Sequence, residues 1–594
     1  MPDNIATAPW LRPAARWVLP TVNDERVEDL RRALGLHRLA AAVLVHRGFD
    51  EASAAEAFLS PELDSLCDPF LLQGMDIAVE RLLQAVHRRE PILVYGDYDV
   101  DGTSSIVILK KTIEILGGCA EYHVPHRLTE GYGMRSEAIE RAAASGIRLV
   151  VSVDTGIRAN EVVRHANGLG IDVIVTDHHL PDAELPPALA VLNPNRPDCS
   201  YPFKHLCGAG VTFKLVQALL SRSNMATARQ KALLDSFLKP VAIATVADIV
   251  PLTGENRVIV RRGLAGLRCV RNLGLRSLLT VSGFEQGECP TAHQVAFRVA
   301  PRINAAGRMS TARDVIELFL TEDGDRAQRL AEQLDVLNRQ RQKVEAEIVE
   351  AILRQCESEI VIEDAAALVF SGEGWHPGVL GIVASRLVER FSRPVFVLSD
   401  AVQHEAEDHR CLTGSGRSIP GFHLLEALES MPELFTKFGG HKQAAGLTLP
   451  ATNIEPFRTQ FQQFARARLT AEDLRPQFVP DAAASFSELN DTSVKDVMAL
   501  GPFGFGNPLP LFVATSAELC GPPRSIGEGK HFSVVFRQDD RTRLMKAWNF
   551  GYRQAELESA RRVDLVFGIE DDPGSRKRGF AAWCMTLKDL RSAS

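Results

Sequence analysis

"PILVYGDYDVDGTSSIVILKKTIEILGG", residues 91–118, decides how the first large domain is read. A short apolar run, 91–95, ends in three carboxylates at alternate positions, Asp97, Asp99 and Asp101, and a helical stretch follows at once. The unit repeats downstream: "RLVVSV", "NEVVRHANGLG", "IDVIVT" and "ALAVLN" alternate strand-like and helix-like patterns up to residue 193. Near-continuous apolar strands alternating with helices predict a parallel sheet covered on both faces.

Ligands in such a sheet bind beyond the carboxyl ends of the strands, and each acidic signal falls there. Asp154 follows "RLVVSV"; Asp177, His178 and His179 follow "IDVIVT"; Asp248 closes the apolar run of "ATVADIVPL". A single Asp at such a place is commonly a helix cap. Four clusters at one sheet edge exceed what capping needs, and their mutual repulsion calls for a counter-charge. No Lys or Arg is interleaved, so divalent cations are the simplest source. Hard oxygen ligands with one or two imidazoles suit Mn²⁺ or Mg²⁺. There are ligands enough for two ions, the device that phosphoester hydrolysis uses at a spacing of roughly 3.5–4 Å.

The 594 residues suggest three or four domains, and 45% apolar content supports a core in each. A net charge of -8 argues against a wholesale nucleic-acid coat and leaves a local basic channel open. Ten cysteines include no CxxC pair, which speaks against a zinc ribbon or a disulfide framework and suits a reducing cytoplasm. "MPDNIATAPWLRP" makes a poor signal peptide, and no 18-residue apolar run predicts a membrane span.

Along the chain, 1–70 reads as an N-terminal helical extension, 71–321 as the acidic α/β domain, and 322–358 as one long charged connector helix. A smaller α/β domain covers 359–470, and a β-rich domain covers 471–594. The fold class expected is therefore multidomain α/β with a C-terminal β-barrel.

"DYDVDG", "VSVD", "TDHH" and "ADIVPL" resemble the four motifs of the DHH phosphoesterase superfamily, and "GGHKQAAG" (439–446) resembles its DHHA1 signature. "GDYDVDGTSS", "PRINAAGRM", "WHPGVLGIVASRL", "GSGRSIPGFHLLEAL" and "FGGHKQAAG" are similar to the RecJ family of bacterial exonucleases, from about residue 70 to the C-terminus. The resemblance implies a single-stranded-DNA-specific 5′→3′ exonuclease of recombination and repair that releases 5′-mononucleotides. It implies metal positions at Asp97, Asp99, Asp101, Asp154, His178 and Asp248, with Asp101 and Asp154 shared. His179 is similar to the position that meets the scissile phosphate, and Asp177 would orient a neighbouring His.

It further implies a second domain that grips phosphate through Arg302, Asn304, Arg308, Arg417, Ser418, Gly440 and His441, with His376 and Ser415 as further candidates. An OB-like barrel would stack bases on Phe503, Phe505, Trp548, Phe550 and Tyr552; the last three alternate in "WNFGY" and would share a strand face. Core packing is the competing reading of these rings. Implied partners are single-stranded DNA, a single-strand-binding protein and a RecQ-type helicase, with a monomer as the default. The competing function is a DHH phosphodiesterase for short oligonucleotides or cyclic dinucleotides, which leaves the barrel without a task.

Overall fold

The computed structural model describes residues 14–127, 130–131, 133–359, 362–400, 410–527, 529–559, 561–572 and 582–593. The chain forms two compact units. One comprises Ala57–Arg341 and Leu500–Pro508; the other comprises the described parts of Met1–Glu56, Gln342–Ala499 and Leu509–Ser594.

In the first unit, strands β1 (Pro91–Tyr95), β2 (Cys119–His123), β3 (Leu149–Val153), β4 (Asp172–Thr176) and β5 (Ala190–Leu192) form a sheet of order β2-β1-β3-β4-β5. Every pairing is parallel. Alternate side chains enter two cores. Ile92, Val94, Val151 and Ile174 belong to one cluster, and Leu93, Val150, Val173 and Val175 to the other. Each such side chain contributes about 1.5–3 kcal/mol by leaving water, which is why these strands read as unbroken apolar runs. The order reverses between β1 and β3, the place where open α/β sheets bind ligands. Helices α1 (Val100–Ile115), α2 (Gly208–Ser221), α3 (Thr227–Ala247) and α4 (Ala300–Met309) complete the surroundings of that edge.

Helix α5 (Gly324–Glu359), 36 residues long, carries the chain out of this unit. In the second unit, β6 (Leu368–Gly372), α6 (Pro377–Phe391), β7 (Val395–Ser399), β8 (Cys411–Arg417), β9 (Lys437–Gly440) and β10 (Ala444–Pro450) build a mixed sheet of order β9-β10-β8-β7-β6. Then come β11 (Ala482–Ala483), β12 (Leu511–Leu519), β13 (Arg524–Ile526), β14 (His531–Gln538), β15 (Arg541–Ala547), β16 (Arg562–Asp571) and β17 (Trp583–Ser592). Their order is β11-β12-β16-β17-β15-β14-β13, and a further β12–β14 pairing closes five strands into a ring, as in an OB fold.

The described part of the N-terminal extension is not one body. Residues Arg16–Trp17 pair with Gln477–Phe478, Trp17 Nε1 donates to Asp589 at 2.6 Å, and Arg47 pairs with the nearly buried Asp481 at 2.8 Å. This segment braces the barrel. Phe58 instead gives its carbonyl to the buried Arg257 of the first unit at 2.7 Å.

Candidate metal centre

Each acidic residue is placed by an element end. β1 stops at Tyr95, and Asp99 caps α1: its Oδ1 accepts from the N–H groups of Asp101 at 2.8 Å and Gly102 at 3.0 Å. The capping role and membership of the cluster thus coincide in Asp99. Residue 102 must be Gly, since a Cβ there would come within 2.5 Å of the Asp97 carbonyl oxygen.

Asp101, buried, receives two N–H donors from the start of α2, Gly208 at 2.6 Å and Ala209 at 2.7 Å. The positive end of a helix offsets part of its charge. Asp154 follows β3 with φ +59°, a left-handed conformation rare outside glycine, and its N–H donates to the Thr176 carbonyl at 2.9 Å.

Asp177 follows β4 and works on its neighbours. Its Oδ1 accepts from the His178 N–H at 2.7 Å and the His179 N–H at 3.1 Å, and lies 2.7 Å from His179 Nδ1; its Oδ2 accepts from the Ile157 N–H at 3.0 Å. Burial works to raise the Asp177 carboxyl, and these bonds with the two imidazoles bring it below the ordinary value.

His178 Nε2 faces three carboxylates: Asp154 Oδ1 at 3.3 Å, Asp248 Oδ2 at 3.6 Å and Asp101 Oδ2 at 3.9 Å. Candidate ligand atoms lie within 4.8 Å of one another in three sets: Asp97, Asp99 and Asp154; Asp101, His178 and Asp248; Asp154, His178 and His179. Asp154 and His178 each belong to two of them.

The electrostatics are those of a site short of positive charge. Burial, then Asp99, holds the Asp97 carboxyl well above the usual range. Burial, then Asp101 and Asp99, does the same to Asp154 and Asp248. Burial pushes His178 down, toward the neutral, ligating form. In His179 burial works downward too, but the hydrogen bond to Asp177 and its charge prevail and raise it.

The donor set fits divalent cations by a direct observation. Asp97 Oδ1, Asp154 Oδ1, His178 Nε2 and Asp248 Oδ2 are all buried without a hydrogen-bond partner. A buried polar atom normally has one. Four unpartnered atoms at one sheet edge are explained together by cations between them.

Above the acids lies a cavity of about 270 Å³ whose wall includes Tyr98, Arg127, Asn304 and Arg308. Tyr98 lies inside "DYDVDG" between the carboxylates that carry its signal, and Arg127 lies outside every motif. Arg127 sits in the loop after β2, with its guanidinium 5.1 Å above the Tyr98 ring. Their place beyond the strand next to the order reversal is the only hint the sequence holds.

"PRINAAGRM" is helix α4 of this first unit, so Asn304 and Arg308 belong to the acidic cavity and not to the second α/β domain. Asn304 Oδ1 also accepts from the Val100 N–H at 3.2 Å, pinning the start of α1. Arg302 departs from expectation. It pairs with Asp335 at 2.8 Å and does not line the cavity, because that carboxylate occupies its guanidinium.

In the second unit, His376 caps α6, its Nδ1 accepting from the Gly378 N–H at 3.1 Å. Arg417 donates to Ser415 Oγ at 3.0 Å, and both crowd Gly381 of α6, where a Cβ would lie 2.9 Å from Arg417 Nη2. His376, Ser415 and Arg417 thus all border the first turns of one helix. Ser418 is different: its hydroxyl donates to the Phe422 carbonyl at 3.0 Å, a bond that shapes the loop. Gly440 pairs with Ala445 so closely that a Cβ would meet the Ala444 oxygen at 2.5 Å, and His441 is exposed at that hairpin turn.

The "WNFGY" alternation does not lie in a strand. β15 ends at Ala547 and Asn549 turns with φ +59°. Phe550 is buried, only 4% exposed, whereas Trp548 and Tyr552 remain about half-exposed. Trp548 makes an edge contact with His531 at 5.0 Å. Phe503 is half-buried and Phe505 exposed, and both stand in the segment Leu500–Pro508, which packs with the first unit.

Three family models match the chain: the DHH family N-terminal domain at 91–245, the DHHA1 domain at 364–467 and the RecJ OB domain at 480–573. The single-stranded-DNA-specific exonuclease RecJ of Dickeya dadantii is 38% identical over 537 residues, 88% of this chain and 91% of that protein. Its namesake from Bacillus subtilis is 37% identical over 552 residues, 93% of this chain and 68% of that protein. The crystal structure of RecJ with Mn²⁺ from Thermus thermophilus superposes with a TM-score of 0.82 at 30% identity, covering 98% of this chain and 80% of that one. A Mg²⁺ complex of the same protein gives 0.76 at 29% identity.

Proposed function

The chain belongs to the RecJ family, and we propose that it is a metal-dependent exonuclease that removes 5′-mononucleotides from single-stranded DNA in recombination and repair. The observation that carries this reading is the set of four buried, unpartnered ligand atoms at the order reversal of the parallel sheet. Asp97, Asp99, Asp154, Asp101, His178 and Asp248 would hold two divalent cations, Mn²⁺ or Mg²⁺. The membership of Asp154 in two ligand sets suits it to the shared position. Bound there, the cations would supply an activated water and charge neutralisation at the phosphodiester.

The remaining work belongs to the chain's own groups. Asp177 fixes the His179 ring through Nδ1, leaving Nε2 to face the phosphate. Arg127 and Arg308, at the cavity wall, offer charge-assisted bonds to phosphate oxygens. Gly208 and Ala209 N–H groups hold Asp101 in place while charge shifts nearby.

In the second unit, Arg417, Ser415 and His376 at the start of α6 form a further phosphate-binding group. Trp548 and Tyr552 offer ring faces on which bases of any sequence can stack. The domain limits that go with this reading are 71–321, 322–358, 359–470 and 471–594, with a monomer acting in the cytoplasm. A single-strand-binding protein and a RecQ-type helicase would present its substrate. Among the described residues no helix is long and apolar enough to cross a membrane.

The test uses two long single-stranded DNAs, labelled at the 5′ or the 3′ end, with Mn²⁺. Immediate release of a 5′-labelled mononucleotide, the 3′ label staying on shortening strands, is expected. Hydrolysis confined to dinucleotides would move the protein to the small-substrate branch.

A further inference from the structure

Arg127 reaches the wall of the acidic cavity from the loop that follows β2, and two sets of contacts place it there. The first lies on the cavity side. The Tyr98 ring sits 5.1 Å from its guanidinium. Tyr98 is itself backed by α4, where a Cβ at Gly307 would come within 2.6 Å of the Tyr98 carbonyl oxygen. The second set lies at the foot of the loop. The Gly96 N–H donates to the His123 carbonyl at 3.0 Å, tying the end of β2 to the residue that follows β1. The hydroxyl of the buried Tyr95 donates to the Gly133 carbonyl at 3.1 Å, and its ring lies 4.9 Å from that of His123.

Glu130 closes the turn between these anchors. It engages both backbone groups of His126, the residue just before Arg127. The Glu130 N–H donates to the His126 carbonyl at 2.8 Å, and Glu130 Oε1 accepts from the His126 N–H at 3.1 Å. The other carboxylate oxygen lies 3.3 Å from His123 Nε2. The Gly131 N–H adds a bond to the same His126 carbonyl at 3.2 Å, from a backbone with φ +77° that glycine adopts freely. A carboxylate at this place is unfavourable in charge, because the cavity already holds more acid than it can offset. Its field reaches the end of β1: burial, with the charges of Glu130 and Asp97, holds the Tyr95 hydroxyl well above the ordinary phenol range. What the carboxylate supplies in return is order in the backbone beside Arg127.

We infer that Glu130 is a positioning residue of the reaction: by fixing His126 against the end of β2, it holds Arg127 ready to meet a phosphate oxygen of the strand. The inference rests on the exonuclease reading above and deepens it. Arginine carries large rotamer freedom, and a loop carries more; both are lost when the guanidinium grips a phosphate. Ordering the loop beforehand removes that cost from the binding step. The Tyr98 ring steadies only the far end of the side chain, whereas Glu130 steadies the backbone from which it starts. Glu130 does not itself line the cavity, so its effect on the reaction passes through Arg127.

The test is a double-mutant cycle on the full chain, with kcat and KM measured on 5′-labelled single-stranded DNA in Mn²⁺. Arg127→Ala and Glu130→Ala should each lower kcat/KM by about ten- to a hundredfold, the scale of a misplaced binding group. The double variant should be no worse than Arg127→Ala alone, because Glu130 has nothing left to position. Glu130→Gln should stay near wild type: its amide oxygen still accepts the His126 N–H, and its NH₂ faces a His123 nitrogen that accepts in the other tautomer. Mn²⁺ affinity by electron paramagnetic resonance should be unchanged in all variants. If Glu130→Ala lacks the wild-type melting transition, Glu130→Asp, which draws the carboxylate back by one methylene, takes its place in the cycle. Wild-type kcat/KM in the Glu130 variant, losses that multiply in the double variant, or Mn²⁺ affinity that falls along with turnover overturns the positioning role and leaves the exonuclease reading intact. Wild-type enzyme that leaves single-stranded DNA uncut with Mn²⁺ overturns both.

Discussion

Gly208→Ala is the sharpest test of how the acidic centre is assembled, because Gly208 is neither charged nor a candidate ligand. A Cβ at 208 would lie 2.4 Å from Asp154 Oδ1 and 2.6 Å from Asp154 Cβ. Real Cβ contacts do not fall below 3.0 Å, so both atoms must give way, the oxygen by at least 0.6 Å. Asp154 cannot swing away cheaply: its φ of +59° and its N–H bond to Thr176 fix it in a tight turn. If α2 retreats instead, the Gly208 and Ala209 N–H groups leave Asp101, at about 1.5–3 kcal/mol for each bond to a charged group. Either route displaces Asp154 or Asp101. A displacement approaching 1 Å at a reacting centre costs about 10²-fold in rate, and loss of ligand support costs about 10–100-fold in metal affinity. Turnover of a 5′-labelled oligonucleotide and Mn²⁺ binding by electron paramagnetic resonance would both fall, while overpacking lowers stability by about 1–3 kcal/mol. Wild-type turnover and Mn²⁺ affinity in Gly208→Ala would refute the argument that α2 and Asp154 are in contact.

Further outcomes follow from the same geometry. Asp97, Asp154 and Asp248 hold protons above the usual carboxylate range, so a cation must displace them. Mn²⁺ binding should then release protons, and its apparent affinity should rise with pH through that raised range; calorimetry in buffers of differing protonation enthalpy showing no release would contradict this. Asp177→Asn removes the charge that raises His179 against its burial and disturbs the His179 N–H and Ile157 N–H bonds. It should lower kcat about 10–100-fold and shift the alkaline limb of the rate profile, where His179 loses the proton that meets the phosphate, to lower pH; an unmoved profile would deny His179 its role. Trp548→Ala should weaken single-stranded DNA binding by about 1–3 kcal/mol with kcat at saturation unchanged; equal affinity by fluorescence anisotropy would make the ring a bystander.

The acidic centre was legible because its residues are set by local rules. Apolar strands announce the sheet, and a carboxylate just past a strand end can only stand at one edge; Asp248 departs from this rule, for it ends helix α3 and reaches His178 at 3.6 Å by the packing of that helix. What escaped was set by distant partners. Arg302 sits in a matched motif, yet Asp335, 33 residues on, claims its guanidinium. Ser418 bonds the Phe422 carbonyl, a matter of loop shape that no pattern encodes. The alternation of Trp548, Phe550 and Tyr552 is that of a strand, but the turn at Asn549 sends Phe550 inward. Arg127 reaches the cavity from a loop without a motif, and residues 14–56 brace a barrel that lies more than 400 residues later in the chain.

The central claim is that the buried acids hold the cations that make this protein a nuclease. It is tested most directly by counting Mn²⁺ ions bound at equilibrium to wild-type protein and to Asp154→Asn, with nuclease turnover measured on the same samples. Two ions and turnover in the wild type, with at least one ion and the turnover lost in Asp154→Asn while DNA binding persists, is the predicted result. Unchanged stoichiometry and undiminished turnover in Asp154→Asn would contradict it.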